Sequence, residues 1–500
     1  MVEAGMIPGA MTLERRRELL RTKGHITVMP PDGGPLSWND LGNAERFLSS
    51  FGDELGYCVE SGEWMIYTGR HWQKDNIFYV SEYAREFVKD ELSEAVVSGD
   101  KYRIKNADRL NNKGGFTAMF DMAKQLRAVS ISEFDGPATH YKLNCKNGTL
   151  DLRTGELADH NADDRITRFI DVDYNADAAA DNFDKFLEKI QPDAAVRAFL
   201  QRSIGYSMLG AVPDAAFWIL YGIGNNGKSV FTKLFMDLLG DYSSGVASQT
   251  IMEAKRAAGA ASPDLARLKG KRFVVVAETN ENERLNPSLI KALSAGDVIT
   301  ARHLFQGEFD FPFSGKMWIA TNHKPSIIDH SNGMWRRLIL VPFAVNIPDG
   351  EVIPQDQMLA RLMAERSGIL SWAVQGARDY FEHGLAVPPV IQAEIDQYKF
   401  EQDSIAQFLE ECCQTAAQFH ANCEAMPEDR RPVYREREFE TANADLYDAY
   451  VKFCKSTGEY QRTQRRLSQN MKERGFVQTR QAKRLWHGIR LLEGYTPGID

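Results

Sequence analysis

The sequence predicts an α/β fold: a parallel-sheet core, preceded by a mixed α+β region and followed by a helical unit that ends in a β-ribbon. Three observations predict it. The apolar run Phe217-Trp218-Ile219-Leu220-Tyr221 leads into the octet GIGNNGKS, after which Val230, Leu234, Phe235 and Leu238 recur at helical spacing. From there to about Asn346, short β-type runs alternate with helical stretches, the pattern of strands joined by crossover helices. On either side the pattern changes, to short strands and turns from Tyr57 to Trp72 and to helices followed by two strands near the far end.

Residues 1–40 are polar and carry Pro30-Pro31-Asp32-Gly33-Gly34-Pro35, so they read as a flexible lead-in. A second region, 41–195, begins with strands at Tyr57-Cys58-Val59, Trp64–Tyr67 and Thr68–Trp72, followed by a helix over Val80–Leu92. Asn147–Leu152 reads as a strand with a turn at Thr154-Gly155-Glu156. Ile170-Asp171-Val172-Asp173 reads as an edge strand with two carboxylates on its exposed face. A pair of that kind also serves two-metal polymerase sites, but no companion acidic strand or basic nucleotide-binding set surrounds it. Helices over Phe183–Ile190 and Ala194–Met208 lead into the core, 196–346.

Within the core, Gly222, Gly227, Lys228 and Ser229 fill the pattern G-x-x-x-x-G-K-[ST] between a strand and a helix. The chemistry this suits is phosphate binding. Glycines let backbone N–H groups face the anion, the lysine reaches the β and γ oxygens, and the hydroxyl holds Mg²⁺. The expected cradle is Gly222, Gly224, Asn225, Asn226, Gly227, Lys228, Ser229 and Val230, at the positive end of the following helix. The competing reading is a glycine-rich surface turn with a solvated lysine.

Glu278 follows the strand Phe273–Ala277, where a carboxylate can bind Mg²⁺ or polarise the attacking water. Asn322 ends the strand Lys316–Ala320 and is placed to orient that water or meet the γ-phosphate. Between them, alternating β-formers from Leu293 to Phe313 suggest a hairpin around Gln306-Gly307. Arg336 and Arg337 precede the strand Leu338–Val341; in an assembly, such an arginine can reach a neighbour's nucleotide.

The loop, the lone strand-end Glu278, the segment AGDVITAR, then IATNHKP and MWRRLILVPF, in that order, resemble the superfamily 3 helicases. The phage and plasmid primase-helicases and the poxvirus helicase-primase are the nearest in kind. The resemblance extends to NGTLDL and LQRSIGYSMLG upstream and to GILSWA downstream. It implies an AAA+-like core that binds ATP and Mg²⁺, assembles as a ring, most simply a hexamer, and moves 3′ to 5′ on single-stranded DNA. It further implies that Lys228 and Ser229 serve phosphate and Mg²⁺, Glu278 is the Walker B acid, Asn322 is sensor 1, and Arg336, with Arg337 as rival, is the arginine finger. The hairpin from Arg302 to Glu308 would grip DNA, with His303 and Gln306 near its tip. Many members place two acids together at Walker B, whereas here Ala277 precedes Glu278. Larger members begin with a primase domain; this sequence reads as the helicase portion without one, so a separate primase or polymerase is an expected partner.

A helical stretch, 347–425, follows the core, and a charged segment separates it from a last unit, 438–500. There, two helical patterns and two strands resemble a winged helix, in which a recognition helix enters a groove and the ribbon touches backbone. From Gln461 to Arg490 there are nine Lys or Arg against one acid, in a chain whose net charge is −9. That local excess suits DNA phosphate contacts, with Arg465, Arg466, Lys472, Arg480, Lys483 and Arg484 as candidates. A basic solvated face used for subunit packing is the alternative.

Composition, 43% hydrophobic and 26% charged over 500 residues, is that of a soluble multidomain chain, and the acidic balance excludes a protein that is basic throughout. The six cysteines form no disulfide framework, and C-C-x6-H-x2-C from Cys412 to Cys423 is no zinc spacing. Without a secretory-type or membrane-length apolar run, a bacterial host cytoplasm is expected, with no membrane partner. The sequence thus predicts an ATP-driven helicase of phage, prophage or plasmid DNA replication, acting on single-stranded and forked DNA. Two other readings stay open: an ATP-switched origin-binding initiator that does not unwind, and a helicase-primase that retains polymerase activity.

Overall fold

The computed structural model describes residues 37–494 apart from 52, 254–261, 278–283, 303–307, 328, 330, 458–460, 481–483 and 493. The chain divides into two compact units, one running to Pro325 and taking in Ile339–Pro388, the other comprising Ser326–Leu338 and the residues from Pro389 onward. Among the described residues no helix is long and apolar enough to cross a membrane.

The first unit opens with helix α1 (Asp40–Ser49), capped by the Asn39 side chain, which accepts from the Gly42 N–H. Strands β1 (Leu55–Cys58), β2 (Glu63–Tyr67) and β3 (Trp72–Lys74) precede helices α2 (Tyr79–Ser98), α3 (Lys101–Leu110) and α4 (Lys113–Leu126), and β4 (Ala128–Val129) completes a sheet of order β3-β2-β1-β4. Phe47, Trp64, Ile66, Val80, Leu110 and Met119 make the core between helices and sheet. Helix α2 outruns the expected 80–92 because its last inward positions are Glu91 and Ala95, too weakly apolar to register as a stripe; Gly99, at φ 67°, ends it.

A small sheet of β5 (Lys142–Cys145), β6 (Gly148–Asp151) and β7 (Leu157–Ala158) follows. The expected strand at Ile170–Asp173 does not form. Ile170 N–H donates to Asn144 O and Lys146 N–H to Val172 O, but the flanking carbonyls of Arg168 and Asp173 accept from the side chains of Asn144 and Ser367 instead. Ile170 and Val172 are buried while Asp171 and Asp173 are exposed, so the alternation is right and the ladder is missing.

Helices α5 (Asp181–Ile190) and α6 (Ala194–Ser207) lead to β8 (Phe217–Tyr221), α7 (Lys228–Leu239), β9 (Ser243–Val246), β10 (Phe273–Val276) and α8 (Pro287–Ala295). The hairpin β11 (Val298–Arg302) and β12 (Glu308–Pro312) comes next, then β13 (Lys316–Thr321), β14 (Leu338–Pro342), α9 (Gln355–Met363) and α10 (Arg366–His383). Five strands form one sheet in the order β14-β8-β13-β10-β9, and β8, β13, β10 and β9 are mutually parallel. Trp218 and Trp318, on neighbouring strands, stack at 4.9 Å between ring centroids inside it. Helices α6 and α10 cross with their backbones nearly touching: a Cβ on Gly205 would lie 2.0 Å from Ala377 N, and one on Gly376 would lie 2.0 Å from Gln201 O. Two buried cations close the end of α6. Arg272 donates to Met208 O, Lys142 O and Thr139 O, and the Lys316 ammonium donates to Leu209 O, Ala211 O and Ser314 O. Burial pulls the Lys316 ammonium well below its ordinary value.

The second unit contains α11 (Pro389–Glu401), α12 (Ser404–Cys412), β15 (Cys413–Thr415), α13 (Ala416–Glu424), β16 (Glu440–Ala442), α14 (Asn443–Thr457), α15 (Gln464–Glu473), β17 (Gln478–Arg480), β18 (Arg484–His487) and β19 (Ile489–Leu491). Its three-stranded sheet runs β16-β18-β17, and β15 pairs with β19. Here the expected boundaries need correction. A unit starting at 438 would lose β15 and the core residues Ile405, Phe408 and Cys412, which pack with Leu446, Tyr450, Leu467 and Trp486. The pairing of Cys413 with Leu491 is too distant in sequence for a local pattern to reveal. Strand β17 begins only at Gln478, because Gly475, at φ 89°, is still turning the chain out of α15.

Candidate functional site

The loop between β8 and α7 is shaped by its backbone. Gly224, Asn225 and Gly227 all have positive φ, at 51°, 36° and 82°, so the chain coils tightly before the helix begins at Lys228. A Cβ on Gly222 would lie 2.2 Å from Phe343 O, and one on Gly227 would lie 2.4 Å from Ile190 Cγ2, so neither position accepts a side chain unless its neighbour moves. A Cβ on Gly224 would meet nothing within 4 Å.

Lys228 is only 4% exposed. Its ammonium donates to Gly222 O, to Asn226 Oδ1 at 3.1 Å and to Asn322 Oδ1 at 3.2 Å. The last contact joins the loop to the end of β13, the strand beside β8. Thr321 shapes that end, donating from its hydroxyl to His323 O and accepting from the His323 N–H. Both groups stand at the carboxyl ends of parallel strands where the strand order switches direction, with β14 on one side of β8 and β13 on the other.

The two adjacent asparagines, expected to act alike, differ in place. Asn226 is buried, its Nδ2 donating to Phe343 O at 3.2 Å and its Oδ1 accepting from the Lys228 backbone N–H and ammonium. Asn225 is exposed and braced from the chain beyond β14, donating to Asp349 Oδ1 while its carbonyl accepts from the Ile347 N–H. The segment from Phe343 to Asp349 thus supports the loop, a role that no local motif announces. Asn226→Ala would leave Phe343 O without this donor and the ammonium with one restraint fewer. The expected result is a roughly tenfold weaker nucleotide affinity, read by titration with a fluorescent ATP analogue, with little change in melting temperature.

The other expected residues fall into three groups. Ser229 is exposed on the first turn of α7 and Val230 is half-buried beside it. Glu278, His303, Gln306 and Lys483 lie outside the described residues, as does the side chain of Arg480 in β17, although β11 and β12 on either side of 303–307 do pair as the expected hairpin. Arg302 ends β11, its N–H donating to Ser262 Oγ. In the second unit, Arg336 is exposed, whereas the Arg337 guanidinium turns back to donate to Gly333 O of its own short helix, Asn332–Trp335. Arg465, Arg466 and Lys472 are exposed on α15, whose inward face is Leu467 and Met471, and Arg484 is exposed at the start of β18.

The family described as D5 N terminal like matches residues 44–192, and a family of unknown function (DUF5906) matches residues 220–337, from the end of β8 through Arg337. A provisionally named helicase of Acanthamoeba polyphaga mimivirus is 24% identical over 393 residues, covering 70% of this chain and 40% of that protein. These matches support a phage or viral primase-helicase family as what the chain is similar to. A provisionally named helicase of Frog virus 3 is 29% identical over 246 residues, covering 45% of this chain and 25% of its own length. A provisionally named primase of African swine fever virus (isolate Tick/Malawi/Lil 20-1/1983) is 27% identical over 203 residues, covering 39% and 21%. The chain therefore spans two fifths or less of these relatives. Among solved structures, an apo form of the NrS-1 C-terminal region aligns over 91% of this chain and 100% of that one, at TM-score 0.48 and 10% identity, from which no residue correspondence follows.

Proposed function

We propose that this chain is an ATP-driven DNA helicase of the superfamily 3 type, with an AAA+-like phosphate-loop core, acting as a ring in the replication of a viral, phage or plasmid genome. The observation that carries the reading is the buried Lys228 ammonium, shared between its own loop and Asn322 on the adjoining strand. A buried ammonium at the first residue of a helix that follows a glycine-rich turn is placed to receive an anion.

The residues present fit ATP and Mg²⁺. The start of α7 supplies N–H donors, Lys228 a positive charge, Ser229 an exposed hydroxyl, and Gly224 the clearance for phosphates to approach backbone. Bound Mg²⁺ would supply charge neutralisation at the β and γ oxygens, with Ser229 and Glu278 as the residues to hold it. Lys228 neutralises phosphate charge that grows in the transition state, and Asn322 orients the water by the same amide that now meets Lys228. Glu278 serves as base. The hairpin β11–β12 and the basic face of α15 with Arg484 are the DNA-contacting parts, the second in a winged-helix arrangement of α14, α15 and the β17–β18 ribbon.

Arg336 is the finger in this scheme, since its side chain is exposed while that of Arg337 folds back onto Gly333 O. Arg336→Ala is expected to keep nucleotide binding while losing about a thousandfold in turnover. Mixing inactive Arg336→Ala and Lys228→Ala subunits should restore part of the activity, because some interfaces then pair an intact loop with an intact arginine. No recovery in mixtures that do co-assemble would contradict a shared site.

A further inference from the structure

The lip of the phosphate loop carries apolar side chains that phosphate binding does not use. Ile223, between Gly222 and Gly224, is 82% exposed, and Val352 and Ile353, on the segment between β14 and α9, are 42% and 39% exposed. That segment is tied to the loop and to the helix behind it. The Ile347 N–H donates to Asn225 O at 2.8 Å, and Asn225 Nδ2 donates to Asp349 Oδ1 at 3.3 Å. Glu351 pairs at 2.7 Å with Lys189 of α5, beside the Ile190 that leaves no room for a Cβ on Gly227. The turn Asp349–Glu351 then leads to Val352, whose N–H donates to Asp349 O. Two branched apolar residues are thus held in the open by contacts to the loop itself, where a merely solvated connection would carry polar ones.

Two observations say what covers them. Asn225 holds a φ of 36° without being glycine, and its bonds to Ile347 and Asp349 keep that costly conformation in place, so loop and segment hold one fixed relation. The loop also has two flanks. Lys228 meets Asn322 on β13, one neighbour of β8, whereas the segment continues from β14, the other neighbour. A triphosphate whose outer phosphate meets Lys228 and Asn322 carries its nucleoside away from β13. Gly222 and Asn225 both lie against the segment on that side, with Ile223 between them.

We propose that Ile223, Val352 and Ile353 form the subsite for the base of the bound nucleoside triphosphate, with the purine lying against the three aliphatic side chains. A purine offers a broad apolar face, and branched side chains cover such a face without needing a polar match. The subsite rests on the ATP-binding reading above and concerns the part of the ligand that the phosphate loop does not touch. Its ties run to the loop, which favours a ligand of the loop over a second copy of the chain.

The test is calorimetric titration of the full chain, with Mg²⁺ present, by the β,γ-imido analogue of ATP and in parallel by inorganic tripolyphosphate, which has the phosphates and no base. The wild type should bind the nucleotide at least about tenfold more tightly than tripolyphosphate. Val352→Ser and Ile353→Ser should each weaken nucleotide binding roughly threefold to tenfold, as should Ile223→Ala, and leave tripolyphosphate affinity and melting temperature at wild-type values. Ile353→Phe should restore binding, since a ring stacks on a base. A Val352→Ser, Ile353→Ser double variant with wild-type nucleotide affinity would overturn the subsite while leaving the ATP reading intact. If that variant also lost self-association, the lip would belong to a second copy of the chain. Equal losses for nucleotide and tripolyphosphate would overturn contact with the base, because the side chains would then act only through the shape of the loop. A wild type that binds neither ligand would overturn the ATP reading and the subsite together.

Discussion

Replacing Lys228 by Ala is expected to lower ATP turnover at least about a thousandfold, beyond the effect of any other single change in the loop. The ammonium is a positive charge at the junction of the β8–α7 loop with Asn322, and it is buried, where a charge acts with less screening than in water. Its removal also takes one donor from each of Gly222 O, Asn226 Oδ1 and Asn322 Oδ1. Solvent can serve them in the cavity left by the side chain, so the folded state should survive. Steady-state hydrolysis, read beside a thermal melt, separates the two effects: turnover falls to background while the melting temperature moves by only a few degrees. Lys228→Arg should not rescue it, because the guanidinium is too large and planar for a pocket built around a point charge.

The largest effect on stability is expected at the crossing of α6 and α10. Gly205→Leu or Gly376→Val would force a side chain into backbone atoms that an ideal Cβ would already approach to 2.0 Å. Backbone cannot step aside as a flexible side chain does, so the helices must separate along their length and open the buried seam that holds Phe199, Ile204, Ile369 and Ala373. The cost should exceed about 3 kcal/mol, enough to leave much of the protein unfolded or insoluble at growth temperature. Gly384→Ala is the matched control: its added Cβ meets nothing within 4 Å, although its φ of 67° imposes some backbone strain. Chemical denaturation of the three variants should therefore show Gly384→Ala far closer to wild type than either crossing variant.

What the sequence shows and what it hides divide along physical lines. The strand Phe217–Tyr221, the loop after it and helix α7 were legible because each is local: an apolar run, glycines where φ must be positive, then a 3.6-residue period. The hairpin was legible from period-two alternation, and the pairing of Ala301 with Phe309 agrees with that reading. The meeting of Lys228 with Asn322 is another matter. It follows from β13 lying beside β8; the family resemblance implied an AAA+-like core, and no spacing in the sequence contains that adjacency. The bracing of Asn225 and Asn226 by Phe343 and Asp349 lay beyond both, because it joins residues more than a hundred positions apart through one carbonyl and one carboxylate. The same limit explains the C-terminal boundary. Helix α12 looks like a continuation of the helical stretch before it until Phe408 and Cys412 are seen packed with Trp486. In Ile170–Asp173 the alternation was read correctly, yet alternation reports which residues are buried and not whether the backbone ladder closes.

The central claim, that ATP hydrolysis at Lys228 drives strand separation, is tested most directly by a forked duplex carrying a fluorophore and quencher, incubated with the full chain and ATP. The account predicts ATP-dependent strand release, hydrolysis stimulated by the single-stranded arm, and loss of both in Lys228→Ala. Hydrolysis that ignores the arm, with the duplex still closed, would contradict it and favour an ATP-switched protein that binds an origin without unwinding it.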